Sequence, residues 1–70
     1  MEWNYDPRQR CWRRKLNGWL AQIERWPASL EYLAQLTSSV GTVVRAPHVF
    51  TTREAAERWC QEETALLQGH

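Results

Sequence analysis

The residues best suited to bind an anion lie near the start of the chain, in the stretch R-Q-R-C-W-R-R-K at positions 8–15. Arginine and lysine neutralise phosphates, and tryptophan can stack on a base. The candidate nucleic-acid contacts are therefore Arg8, Arg10, Trp12, Arg13, Arg14 and Lys15. An alternative role for these charges and the position of two acidic residues weigh against nucleic-acid binding. An edge strand also carries charges to prevent pairing with another sheet, and Glu24 and Glu31, expected on the same outer face, would repel phosphates.

Few side chains could ligate a metal or act as a nucleophile. The soft ligands are Cys11, Cys60, His48 and His70, and they show neither a C-x-x-C motif nor a paired-histidine spacing. A cysteine and His48 could form a nucleophilic pair, but Cys60 falls on the apolar face of a predicted helix, where a thiol is inert. The sequence has no glycine-rich phosphate-binding loop, and its three glycines are too few to make one. We therefore expect no enzyme, no cofactor and no metal site.

Length and charge narrow the class of protein further. Seventy residues predict a single domain spanning 1–70, and the net charge of +1 is not that of a strongly basic nucleic-acid binder. No apolar run approaches the roughly 20 residues of a membrane span. The N-terminus also lacks the apolar core of a signal peptide. We expect a cytoplasmic protein without membrane contact, in which Cys11 and Cys60 stay reduced.

The elements that position these residues begin with a helix predicted over 51–67. Thr51 and Glu54 fit a capping box, and Phe50 stands where a hydrophobic staple would pack. The face predicted to be buried recurs at steps of three and four and comprises Ala55, Ala56, Trp59, Cys60, Glu63, Leu66 and Leu67. A helix with one such face needs a surface to pack against.

Alternating segments over 11–46 predict that surface to be a sheet. Asn17-Gly18 lies between two of them, and Asn-Gly is the strongest short signal for a hairpin. Residues 1–10 contain Trp3 and Tyr5 at alternating positions and are interpreted as a short strand or a tail. The predicted fold is α+β: a three- or four-stranded antiparallel meander with one C-terminal helix packed across one face. A helical alternative for 16–36 stays open, because Leu, Ala, Gln and Glu favour helix.

The sheet face away from the helix is the second candidate surface. On the strand interpretation Leu20, Leu33 and Val44 form a modest apolar patch there. Such a patch, on a domain with so small a core, indicates a homodimer or a protein partner. The predicted function is a non-enzymatic interaction module that acts through its sheet, and the alternative is a nucleic-acid-binding accessory domain using the arginine-rich first strand.

The passages G-W-L-A-Q-I-E-R (18–25) and V-F-T-T-R-E-A-A-E-R-W (49–59) resemble small domains built of three antiparallel strands and a helix. Examples are the ethylene-response-factor type DNA-binding domain of plants and the arm-binding domains of tyrosine integrases. The passages look equally like small uncharacterised bacterial and phage proteins. The resemblance covers about a third of the chain, and its matching positions shape the core. It implies the fold, and in the DNA-binding families arginines and tryptophans of the sheet contact DNA.

Overall fold

The computed structural model describes residues 3–26, 28 and 30–68. Within these ranges the elements are β1 (Asn4–Asp6), β2 (Cys11–Leu16), β3 (Trp19–Trp26), β4 (Glu31–Thr37), β5 (Val43–Arg45) and α1 (Arg53–Gln68). Each strand pairs antiparallel with the next, so the sheet is an open meander in sequence order. The α+β class is confirmed. The strand count is higher than predicted, because the short strands β1 and β5 pair at the two edges.

The β2–β3 hairpin turns at Asn17-Gly18, as predicted. Leu16 pairs directly with Trp19, and the turn residues have φ angles of 51° and 83°. A type I′ turn requires positive φ at both positions, and Asn and Gly adopt it at the lowest cost. The helical alternative for 16–36 is wrong. The turn and the pairing of β3 with β4 outweigh the helix propensity of their Leu, Ala, Gln and Glu residues.

The core lies between α1 and one face of the sheet, which we call the inner face; the opposite side is the outer face. Ile23 and Leu36 from the central strands are fully buried, and Ala56 and Cys60 from the helix are buried against them. Alanines at positions 21 and 34 are also buried there and let the helix approach the sheet closely. Larger half-buried residues close the margins of this core: Trp3, Trp12, Leu16, Trp19, Tyr32, Val44, Trp59 and Leu67.

The helix begins later than predicted. Phe50 still pairs with Tyr32 through two main-chain hydrogen bonds, of 2.8 and 2.9 Å. The N-cap is Thr52, whose Oγ1 accepts a hydrogen bond from the Ala55 N–H at 3.2 Å. The predicted capping box of Thr51 and Glu54 is therefore wrong by one residue, because Thr51 lies in the bend that leaves the sheet.

The buried side of α1 is largely the predicted one, since Ala55, Ala56, Trp59, Cys60 and Leu67 belong to or pack against the core, but it differs at two positions. Ala56, Cys60 and Thr64 recur at steps of four and are fully buried, whereas Leu66 is 63% exposed. The prediction that Leu66 faces the core is wrong, because the last turns of the helix bury Thr64 and pack Leu67 against the core instead. Thr64 fits this stripe because its hydroxyl has partners: Oγ1 donates to the Cys60 carbonyl at 2.8 Å, and Asn17 Nδ2 donates to Oγ1 at 3.3 Å.

Val44 lies on the inner face, so its assignment to the outer patch is wrong. It pairs with Leu36, which is fully buried, and its side chain packs against the core. Directly paired residues of an antiparallel sheet share a face. Leu20 and Leu33 do lie on the outer face, since they alternate with the buried Ala21 and Ala34.

Over the described ranges, no helix has the length and apolar character needed to cross a membrane. His70, considered above as a metal ligand, lies outside the described residues.

Candidate functional site

The arginine-rich stretch does not form one surface. Because side chains alternate along a strand, β2 sends Trp12 and Arg14 to the inner face and Arg13 and Lys15 to the outer face. Arg8 and Arg10 precede the strand, in the turn that follows β1. The run that the sequence presents as a single patch is therefore divided between two faces and a turn.

On the outer face, the charge of Arg13 is already paired. Its guanidinium donates to Asp6 Oδ2 at 3.1 Å and also to the side-chain carbonyl of Gln9. The hydrogen bond from Arg13, with a second from the Arg8 N–H, holds the pKa of the Asp6 carboxyl below its usual 3.8. Arg13 thus fastens the β1–β2 turn and contributes little free charge to a ligand.

Arg14 is also poorly placed to contact a ligand. It lies on the inner face opposite the buried Ala21, and it is half-buried. Its Nε is buried and has no hydrogen-bond partner among the described residues. Lys15, by contrast, is exposed on the outer face opposite Leu20.

A groove opens on the inner face where the sheet extends past the start of α1. Its cavity volume is about 370 Å³ and its lining residues are Tyr5, Arg10, Trp12, Arg25 and Leu30. We call it the arginine groove. Two walls come from turns whose residues have positive φ, namely Arg10 at 53° and Leu30 at 57°. The Arg25 N–H donates to the Arg10 carbonyl at 3.4 Å, so Arg10, in the turn before β2, stands opposite Arg25 on β3.

The aromatic floor of the arginine groove is held from several sides. The Tyr5 and Trp12 rings are 4.8 Å apart and tilted by 46°, and Tyr32 lies 6.0 Å beyond Trp12. The Arg53 guanidinium sits 5.3 Å from the Trp12 ring and is itself fixed by Glu57, with 2.8 Å between Nε and Oε2. Trp12 is therefore positioned by both the sheet and the helix, while Tyr5 remains 51% exposed.

The outer face carries a polar row that crosses the whole sheet. The register places in line Asn4, Arg13, Gln22, Gln35 and Arg45. Beside this row is a shallow depression of about 350 Å³, lined in part by Glu24, Leu33 and Arg45. Gln22 Nε2 donates to Glu24 Oε1 at 2.9 Å, which orients the amide along the sheet. Leu20 and Leu33 are half-buried on this face and give it some apolar area.

The thiols do not form a reactive site. Cys11 and Cys60 are both free and fully buried, and they lie on opposite sides of the sheet. Burial raises the pKa of the Cys60 thiol to about 12 and also raises that of Cys11. His48 is exposed and contacts its own neighbours, the Val49 carbonyl at 3.0 Å and the Phe50 ring at 4.7 Å. In the described part of the chain, no group of three or more potential ligands could hold a metal ion.

Sequence reasoning missed three members of the arginine groove: Tyr5, Arg25 and Leu30. Of these three, only the position of Arg25 could have been predicted from the sequence. The two-residue turn at 17–18 sets the β2–β3 register, and counting outward from it places Arg25 opposite Arg10. Tyr5 and Leu30 had no such signal, because their positions depend on the conformations of longer turns.

Comparison with models of known protein families, with curated proteins and with solved structures gives no match, so the resemblance to small DNA-binding domains stays a prediction.

Proposed function

We propose that this chain is a small non-enzymatic interaction module that self-associates through the outer face of its sheet. The observation that carries the proposal is the bareness of that face. The helix packs on β2, β3 and β4 from the inner side, and no described helix or strand packs on the outer side, where Cys11 is the one fully buried residue of the described strands. An open antiparallel sheet often leaves one face to solvent. Here, however, that face also exposes apolar residues.

The apolar residues of the outer face include large exposed side chains. Trp26 is 55% exposed and Val43 is 49% exposed. Leu20 lies in the same row as Val43, Leu33 lies one row from Trp26 on the other side of the polar row, and both are half-buried. Exposed aromatic and aliphatic anchors within a polar surround are the usual composition of a protein interface.

The charges of the outer face favour a second copy as the occupant. Beside the internal Arg13–Asp6 ion pair, the basic side chains Lys15 and Arg45 are matched there by the acidic side chains Glu24 and Glu31. A two-fold contact sets the same surface against itself, and a surface with both signs can then pair basic with acidic groups. The same balance would repel phosphates as much as attract them. It therefore supports protein over nucleic acid on this face.

The proposal also includes the cytoplasm as the place of action. Two free, buried cysteines support it, because a reducing compartment keeps thiols unpaired.

Sedimentation velocity over a micromolar to near-millimolar concentration series tests self-association. We expect the wild-type chain to form a dimer, and Leu33→Asp to stay monomeric because it places a charge at the centre of the contact. The matched control is Leu66→Asp, which introduces the same charge at an exposed helix position and should dimerise like the wild type.

Gln35→Arg, in the middle of the polar row, gives a second variant that leaves the apolar core untouched. It should weaken the dimer, since the two added charges would face each other across the two-fold axis. Circular dichroism confirms that each variant is folded. A wild-type chain that is monomeric throughout the series, or equal dimerisation of L33D and L66D, would overturn the proposal.

A further inference from the structure

We propose that the arginine groove binds an unpaired stretch of nucleic acid, with a base stacked on Tyr5 and the adjacent phosphates on Arg10 and Arg25. This site lies on the inner face and is distinct from the outer face proposed for self-association. Four observations carry the proposal: the arrangement of the two arginines, the orientation of nearby carboxylates, the exposed ring of Tyr5, and the size of the groove.

The two arginines form a cationic pair that lacks a counter-charge. Arg10, in the turn before β2, stands opposite Arg25 on β3, and both line the same groove, where two like charges repel each other. Across residues 3–26, 28 and 30–68, carboxylates pair with Arg13 and Arg53, and none is within ion-pair distance of Arg10 or Arg25. A bound phosphate would relieve the repulsion, and two guanidinium groups at one site match its charge and geometry.

The carboxylates nearest in sequence point away from the groove. Glu24 and Glu31 occupy outer-face positions of β3 and β4, because they alternate with Ile23 and Tyr32 on the inner face. The Glu24 carboxylate accepts a hydrogen bond from Gln22 on that outer side. The expectation that these acids would repel phosphates therefore applies to the outer face and leaves the arginine groove positive.

Tyr5 provides an aromatic face of the kind that unpaired bases stack on. Its ring is half exposed, and it rests on Trp12 at a centroid distance of 4.8 Å. Trp12 is in turn held by Tyr32 and by the Arg53 guanidinium. Because the platform is positioned before a ligand arrives, little ordering cost falls on binding. Leu30, 59% exposed, closes the opposite wall with an apolar surface.

The size of the groove favours a short unpaired segment over duplex. Its volume of about 370 Å³ is within the range of roughly 300–1,000 Å³ for small-ligand sites. A base can enter such a concavity only when it is not stacked in a duplex. A duplex-binding surface also needs basic residues spread over many phosphates, whereas this chain has a net charge of +1.

Fluorescence anisotropy with a labelled oligothymidylate of about ten nucleotides tests the proposal, since single-stranded sites span roughly 4–16 nucleotides. The protein should be kept below the concentration at which it self-associates. Contacts to two phosphates predict a slope of about −1.4 for the logarithm of the affinity against the logarithm of the salt concentration. In Arg10→Ala and in Arg25→Ala one of these contacts is lost, so the slope should become about −0.7. Tyr5→Ala should weaken binding roughly five- to hundredfold, the usual value of one stacked base.

Two control variants remove the same groups from the other side of the sheet. Arg45→Ala removes an exposed arginine, and Trp26→Ala removes an aromatic ring that is 55% exposed. Both should leave the affinity for the oligonucleotide unchanged, whereas Trp26→Ala should weaken the dimer proposed above. Loss of dimerisation with intact oligonucleotide binding, or the reverse, therefore separates the two proposals.

Several results would overturn the proposal. One is an equal loss of affinity in R45A, R10A and R25A, which would mean diffuse attraction by net charge. Another is equal competition by a duplex of the same sequence. Binding to vesicles rich in anionic lipid, or to an acidic peptide, without binding to the oligonucleotide would assign the groove to a different partner. Urea denaturation of each variant checks that the differences do not arise from unfolding.

Discussion

Replacing Thr64 by valine tests what the one buried polar side chain of the described core contributes. The Thr64 hydroxyl links the helix to the β2–β3 turn, because it accepts from Asn17 Nδ2 at 3.3 Å and donates to the Cys60 carbonyl at 2.8 Å. Valine has the same branched shape, so the substitution exchanges the hydroxyl for a methyl group and leaves the packing volume nearly unchanged.

The expected cost of Thr64→Val is small, within about 1 kcal/mol of wild type. Losing a hydrogen bond costs about 0.5–1.5 kcal/mol net. Burying the added methyl group stabilises the folded chain by about 0.8 kcal/mol, which offsets most of that loss. The two groups that bonded to the hydroxyl keep other hydrogen-bond partners. Asn17 is exposed and can turn its amide to water, and the Cys60 carbonyl keeps its main-chain hydrogen bond within the helix. Thr64→Ser keeps the hydroxyl but leaves a methyl-sized gap, so it should cost about 1 kcal/mol or more.

Urea denaturation monitored by tryptophan fluorescence measures both variants against a total free energy of unfolding of about 4–10 kcal/mol. A double-mutant cycle with Asn17→Gly isolates the Asn17–Thr64 hydrogen bond, because glycine tolerates the same positive φ. We expect a coupling energy of about 0.5–1 kcal/mol. A loss above about 2 kcal/mol in T64V, with the denaturant slope unchanged, would refute this reasoning and show that the hydroxyl satisfies a group with no other partner.

Three further predictions concern charge and backbone. Burial raises the pKa of the Cys60 thiol from 9.0 to about 12, so the free energy of unfolding should fall as the pH rises from 9 towards 12, where only the unfolded chain ionises. Urea titrations with Cys60→Ala measure the effect; the decline should be smaller in this variant, and the part that remains includes the contribution of Cys11, whose pKa is also raised. The depressed pKa of Asp6 means that its contribution to stability is present above pH 3.8 and lost as the pH falls through the folded-state pKa. Asp6→Asn should remove that acid sensitivity, as followed by thermal melts. Gly18→Ala should lower the free energy of unfolding by about 1–2 kcal/mol. The whole cost comes from the φ of 83°, because a Cβ at this position would meet no atom within 4 Å. Urea denaturation measures the change, and a neutral result would contradict the assigned turn.

The central hairpin could be predicted from sequence because its signals agree. Asn17-Gly18 fixes a two-residue turn, and once its position is known every pairing of β2 with β3 follows by counting. The buried positions Ala21 and Ile23 follow from the same count. The helical alternative persisted at the sequence level only because these residues are also good helix formers, and no local pattern reports the pairing with β4.

The edges of the sheet could not be placed in the same way. The connection between β4 and β5 contains a turn in which the Ser38 N–H donates to the Thr42 carbonyl at 2.8 Å and Gly41 adopts a φ of 90°. A longer turn of this kind permits either parity of register. A shift of one residue moves every side chain of a strand to the other face. That ambiguity accounts for the wrong assignment of Val44.

The helix and most of its buried face could be predicted, but the exposure of Leu66 and the burial of Thr64 could not. Leu66 is more hydrophobic than Thr64, so a pattern based on hydrophobicity buries Leu66 and leaves Thr64 exposed. The structure buries Thr64 because Asn17 and the Cys60 carbonyl satisfy its hydroxyl. Asn17 is a turn residue far away in sequence, and a tertiary hydrogen bond of this kind has no signature in the local pattern.

Both candidate surfaces depend on the same two-residue turn. Counting outward from Asn17-Gly18 places Trp12 and Ile23 on the inner face and Arg13 and Gln22 on the outer face. It also brings Arg10 and Arg25 together at the far end of the hairpin. The basic stretch therefore does not act as a linear motif: β alternation gives the outer face a charge balance suited to a second copy. At the far end of the hairpin, Arg10 and Arg25 lie beside Tyr5, and within the described residues neither has a carboxylate partner.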